Sequence, residues 1–183
     1  MTQTSQSGAG WWRANQASYP NSREIVDLEA NFGTNVNRFV NALRHAGATV
    51  RIRSTRRSAA RAYLMHYSWR VAYQEVEASE VPSFPGINIV WDHGDSQLSI
   101  RAAREMVNLF GMAHIAALKS NHIQGKAVDM NVAWKEDLKL TKQDTIDSTP
   151  RTGQNRDLHL IAAARFEVRK LVSDPPHWSY NGR

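Results

Sequence analysis

The chain has no cysteine. Disulfide scaffolds, thiol catalysis and Cys-ligated zinc are therefore excluded. No apolar run approaches the roughly 18–20 residues that a membrane span requires. The polar stretch 1–10 offers no apolar h-region, so no secretory signal is visible, and work outside the cytosol would need another route of delivery. Internal repeats and low-complexity segments are absent as well. Acidic residues are the minority charge, 17 Asp+Glu against 23 Lys+Arg, which leaves a net charge of +6. Such a chain is drawn to polyanions, which include nucleic acid, anionic lipid and bacterial wall polymers.

The 183 residues suffice for one domain with a sizeable core, at 42% hydrophobic content and with six Trp. They divide into an irregular lead-in over 1–22 and a single domain over 23–183. Trp11-Trp12 in the lead-in either bind a sugar or wall polymer or pin the N-terminus onto the core. Phe32, Val36, Phe39, Val40 and Leu43 form one helical stripe, stopped at Gly47. Val50 and Ile52 alternate with Thr49, Arg51 and Arg53, a short half-buried strand. Ser58 caps a second helix through about Tyr73. Pro82, Pro85-Gly86 and His93-Gly94 surround a short strand at Ile87–Trp91. Further helices carry Ile100, Ala103, Val107 and Phe110 on one face, and span about Arg156 to Arg165. Helices and short strands mix without a βαβ rhythm, so the expected class is α+β.

Chemistry concentrates in two segments. From Ala127 onward the pattern has period two, with Val128, Met130 and Val132 on one face and Ala127, Asp129 and Asn131 on the other. His122 lies seven residues before Asp129, ahead of a Gly125 that permits a sharp turn back toward the carboxylate. The second segment is Ser173-Asp174-Pro175-Pro176-His177-Trp178-Ser179-Tyr180, whose prolines favour an extended backbone holding Asp174 and His177 at a defined separation. His122, Asp129 and His177 are a plausible ligand set for catalytic zinc with the fourth position left to water, and Asp174 then remains as a free acid. Against this stands the plain reading of each as a satisfied polar residue, which suffices for His45, His66, His114 and His159. His93, in Trp91-Asp92-His93-Gly94-Asp95, stays open between that reading and a substrate or second-site role. The cluster Arg51, Arg53, Arg56, Arg57 and Arg61 is either a solvated face or a nucleic-acid patch.

Ser120-x-His122-x-x-Gly125-x-Ala127-x-Asp129 resembles the SxHxxGxAxD signature of the M15 family of zinc metallopeptidases. That family holds D-alanyl-D-alanine carboxypeptidases and dipeptidases and phage L-alanyl-D-glutamate endopeptidases. Asp174-x-x-His177-Trp178 is similar to the family's acid-x-x-His-aromatic motif, with Asp where Glu is common. Ser54-Thr55-Arg56-Arg57-Ser58 resembles its Ser-Gly-Tyr-Arg-Ser element, with Thr55-Arg56 replacing Gly-Tyr. The three matches keep family order over roughly residues 50–180.

The resemblance implies zinc bound by His122, Asp129 and His177, Asp174 as general base, and Ser120 on the substrate. It also implies that Arg57, or its neighbour Arg56, steadies the substrate or tetrahedral intermediate. It implies a small antiparallel sheet flanked by helices, of the lysostaphin, D-Ala-D-Ala peptidase and hedgehog kind. The implied function is peptide-bond hydrolysis, as carboxypeptidase or endopeptidase, in peptidoglycan stem peptides. The expected protein is a monomer made in the cytoplasm and acting at the cell wall or periplasm, as an endolysin or an antibacterial effector with an immunity or delivery protein as partner. No nucleic-acid partner is expected, since no nucleic-acid motif is present. The alternative is a non-catalytic, zinc-stabilised binding module for wall polymers, as hedgehog-type relatives keep a zinc site on this fold.

Overall fold

The computed structural model describes residues 5–183; residues 1–4 of the lead-in lie outside the described residues. The helices and strands run in the order α1 (Ala9–Asn15), α2 (Ala30–His45), β1 (Thr49–Ser54), α3 (Ala59–Ala72), α4 (Ser96–Phe110), β2 (Ala127–Ala133), β3 (Leu138–Lys139), β4 (Thr145–Ile146), α5 (Arg156–Phe166), β5 (Arg169–Lys170) and β6 (His177–Ser179). The architecture is α+β with a small antiparallel sheet flanked by helices, as expected. The described residues separate into two compact units, one of residues 5–20 with 58–119, the other of residues 21–57 with 120–183.

The first unit is helical. Its α3 is capped by Ser58, whose hydroxyl accepts from Arg61 N, and α4 is capped in the same way by Asp95. Trp11, Trp12, Tyr63, Leu64, Trp91 and Met106 form its main apolar cluster. The lead-in expected to be irregular thus contains a helix, and its Trp pair is core: Trp11 and Trp12 are 3% and 4% exposed, and Trp11 Nε1 donates to Asn88 O at 2.8 Å. The strand expected at Ile87–Trp91 does not form. Pro82 and Pro85-Gly86 break the run into turns, and its one bridge is Val90 with Gln6. Ile87 and Ile89 instead pack on the aromatic cluster.

The second unit carries the four-stranded sheet, in the order β1-β2-β6-β5, with every pair antiparallel. The stripe Phe32, Val36, Phe39, Val40 and Leu43 of α2 is buried on Val128, Met130, Val132 and Trp178 of the sheet, together with Leu158, Ala162 and Phe166 of α5. Full burial of each such large side chain contributes roughly 1.5–3 kcal/mol. Asn155 caps α5 by accepting from Asp157 N and Leu158 N. Because β2 alternates, burying 128, 130 and 132 against the helices turns Asp129 and Asn131 to the opposite face of the sheet.

Candidate metal centre

Strand register brings the two chemical segments together. Asp129 on β2 stands directly opposite His177 on β6. His122 arrives from a turn over 121–125, closed by Gly125 N donating to His122 O at 3.2 Å and Lys126 N donating to Asn121 O at 2.7 Å. Gly125 makes this turn possible in two ways. Its φ is +70°, and a Cβ there would lie 2.8 Å from Glu29 N. The carbonyl of Gly125 accepts from that same nitrogen at 2.9 Å, which ties the turn to the start of α2.

The result is a triangle of three ligand atoms. His122 Nε2 lies 3.2 Å from Asp129 Oδ1 and 3.3 Å from His177 Nδ1, and His177 Nδ1 lies 3.2 Å from Asp129 Oδ1. Both imidazoles are committed on their other side. His122 Nδ1 is 2.6 Å from Thr55 O, and His177 Nε2 is 3.1 Å from Arg183 O. A main-chain oxygen only accepts, so each of those nitrogens carries the hydrogen, and the inward nitrogens of the neutral rings present lone pairs. Two lone pairs and a carboxylate oxygen facing one another at this distance demand a positive charge between them. Ligand atoms of a tetrahedral ion bound at about 2.0–2.1 Å are about 3.3 Å apart, so the donor set fits zinc in spacing and in chemistry. Among the described residues, His122, Asp129 and His177 are a group able to hold a metal ion.

Asp129 responds to this setting. In the metal-free chain burial pushes its carboxyl up, but hydrogen bonding and charge from His122 and His177, for which an inward nitrogen must carry a proton in place of the metal, outweigh burial and hold it well below the usual carboxylate range. Arg57 faces the same carboxylate: burial draws its guanidinium below the ordinary value, and the Asp129 charge opposes that. Its main-chain nitrogen donates to His122 O at 3.2 Å, and its Nε is buried without a hydrogen-bond partner. Arg56 is exposed, so of the two arginines it is Arg57 that is turned to the site. Ser120 sits at the start of the His122 turn with its Oγ buried and also without a partner. Asp174 lies outside the triangle. Its carboxylate is exposed, while its main-chain oxygen accepts from His177 N at 3.0 Å.

The segment before His177 is a turn over 172–176, in place of the extended stretch that the prolines suggest. The cause is Lys170. Its side chain lies against Trp178, and the ammonium donates to the main-chain oxygens of Leu171, Asp174 and His177, the last two at 2.5 and 3.1 Å. Burial draws this ammonium down to about 8, against the pull of Asp174 and Asp129. All three of its donors are used to fold the turn that delivers the second histidine.

Sequence reasoning missed Thr55, Arg183 and Lys170. The first two act through main-chain oxygens, which no residue type announces, and a lysine in a short strand carries no signal of its own. Of the other histidines, His45 pairs with Asn41 O, His66 with Ala116 O and His159 with Gly153 O, while His114 is exposed. His93 pairs with Ser7 Oγ at 3.0 Å within the helical unit and is no part of this centre. No family model, curated protein or solved structure matches the chain.

Proposed function

We propose that the protein is a zinc-dependent peptidase acting on the stem peptides of bacterial peptidoglycan. The observation that carries this reading is the triangle of inward lone pairs on His122, Asp129 and His177, with the outer imidazole nitrogens held by Thr55 O and Arg183 O. The motif Ser120-x-His122-x-x-Gly125-x-Ala127-x-Asp129 supports it by resemblance to M15 peptidases. Zinc bound there supplies Lewis acidity toward a peptide carbonyl and toward the attacking water, with three protein ligands leaving a position open.

The chain's own residues carry the rest. Asp174, exposed beside His177, takes the proton of the attacking water and returns it to the leaving amine. Arg57, largely desolvated and near enough for its charge to interact with Asp129, supplies positive charge for the carbonyl oxygen as it becomes negative or for a substrate carboxylate. Ser120, whose Oγ is buried without an internal partner, would help hold substrate, as the resemblance to M15 peptidases implies. Among the described residues no helix is long and apolar enough to cross a membrane. The proposed place of action is the cell wall, reached as an endolysin or as an injected effector.

A second reading is a zinc-stabilised module that binds wall polymers without cutting them; it draws on the metal triangle alone and gives Asp174 no part in chemistry. One experiment separates the two. Purified peptidoglycan is incubated with the zinc-loaded protein, and released fragments are identified by mass spectrometry. New free amino groups at a defined stem-peptide bond support the peptidase, and the fragment masses name the bond. Sedimentation of the protein with intact, uncut sacculi supports the binding module.

A further inference from the structure

The arginines between 51 and 61 have different surroundings, and the two on β1 take no part in the metal centre. Arg61 lies in the helical unit, its guanidinium over Trp12 and Phe110 and donating to Tyr19 O. Arg57 is turned to Asp129. Arg51 and Arg53 stay exposed on β1. Arg51 is the register partner of Asn131, which stands two residues beyond Asp129 on β2. Residues two apart share a face, so Arg51 projects from the sheet face that carries Asp129 and His177. Between Ile52 and Ser54 the register slips, and Arg53 and Ser54 together stand opposite Asp129. Val50 and Ile52 take the other face and pack on the core.

That face holds one carboxylate from the strands, Asp129 itself. Its other β1 and β2 positions beyond the triad are Thr49, Arg51, Arg53, Asn131 and Ala133, all exposed, and Ala127, which is buried. β1 is also the terminal strand of the sheet, so among the described residues no strand pairs with its outer edge. An unpaired edge offers main-chain donors and acceptors to an extended peptide.

We infer that β1 is a docking lane for an extended acidic peptide, with Arg51 and Arg53 receiving carboxylates from alternate residues of it. Side chains two apart on a strand are separated by about 7 Å, the same spacing on lane and ligand, so each arginine meets one carboxylate. The lane leads away from the metal triangle along β1, which makes it a subsite for substrate residues outside the scissile pair. It rests on the peptidase reading only in that orientation. Two arginines suit a short acidic peptide better than a nucleic-acid backbone, whose binding draws on some 6–10 phosphate contacts.

The test uses the full chain and fluorescence anisotropy with two labelled peptides, Ala-Glu-Ala-Glu-Ala and its glutamine counterpart. Arg51→Gln/Arg53→Gln should weaken binding of the acidic peptide roughly tenfold, with the gap closing in high salt, and should not alter binding of the glutamine peptide. Equal zinc content in both proteins shows that the centre is intact in the variant. Binding of the acidic peptide within twofold of wild type overturns the lane. So does tighter binding of a duplex oligonucleotide through the same two arginines, which would make β1 a nucleic-acid surface. Loss of peptide affinity in the variant, combined with no cleavage of peptidoglycan by wild type, would end the peptidase reading and leave the lane standing. Cleavage without any effect of the two arginines would do the reverse.

Discussion

Asp129 does two jobs with one oxygen, since both imidazoles approach Oδ1. Its carboxyl is held below the ordinary 3.8, so the folded chain binds that proton more weakly than the unfolded chain does. The resulting stabilisation is fully present above about pH 4 and is lost as pH falls toward the folded-state value. With a chelator present, the stability margin of wild type over Asp129→Asn in urea unfolding should therefore shrink on acidification below about pH 4. A margin that widened there would contradict this. Arg57 and Arg56 are neighbours with opposite surroundings, one turned to Asp129 and one exposed. Arg57→Ala should lower kcat/KM by roughly 10²–10³ with zinc content unchanged, and Arg56→Ala should leave turnover near wild type. Asp174→Asn keeps the size and shape of the side chain while removing its basic oxygen. It should retain zinc and lose roughly 10²–10⁴ in rate. Near-normal turnover would move the proton to another acid, and loss of zinc would make Asp174 a ligand.

At the scale of elements, the site depends on three devices: the β2–β6 register, the Gly125 turn and the Lys170 clip. Gly125→Ala meets both a left-handed φ and a main-chain nitrogen at 2.8 Å. The φ alone costs about 1–2 kcal/mol, so a fall in Tm of roughly 2–8 °C is expected. Gly10, inside α1 with nothing within 4 Å of an added Cβ, is the control. Gly10→Ala should hold or raise Tm by helix propensity. The Gly125 turn and the alternation that sets Asp129 off the core were legible in the amino-acid order, whereas the pairing of β2 with β6 was not. Period-two alternation around Asp129 and a glycine between His122 and that strand are local signals, and the apolar stripe of α2 fixed which face of β2 is buried. The Lys170 clip was not legible, because it exists only once β5 and β6 pair and put the ammonium beside the 172–176 turn. The failed strand at Ile87–Trp91 has the same origin: an alternating apolar run describes burial, but a strand also needs a neighbour to bond, and this run has little more than the Gln6–Val90 bridge. The helix at Ala9–Asn15 escaped notice because seven residues hold too little periodicity, and its two tryptophans are fixed by tertiary packing.

For the molecule as a whole, a net charge of +6 and a sheet face with exposed arginines suit an anionic polymer, and the chemistry done on that polymer turns on whether a cation sits in the triangle. The roles proposed for Asp174, Arg57 and Ser120 depend on that cation. The most direct measurement is metal content: elemental analysis of the protein after equilibration with zinc and removal of free ion, on wild type and on His122→Ala/His177→Ala. Removing two of three ligands leaves only a carboxylate, which holds zinc weakly. Wild type should carry one zinc per chain and the double variant none. Metal-free wild type, or full zinc occupancy in the double variant, would contradict the account.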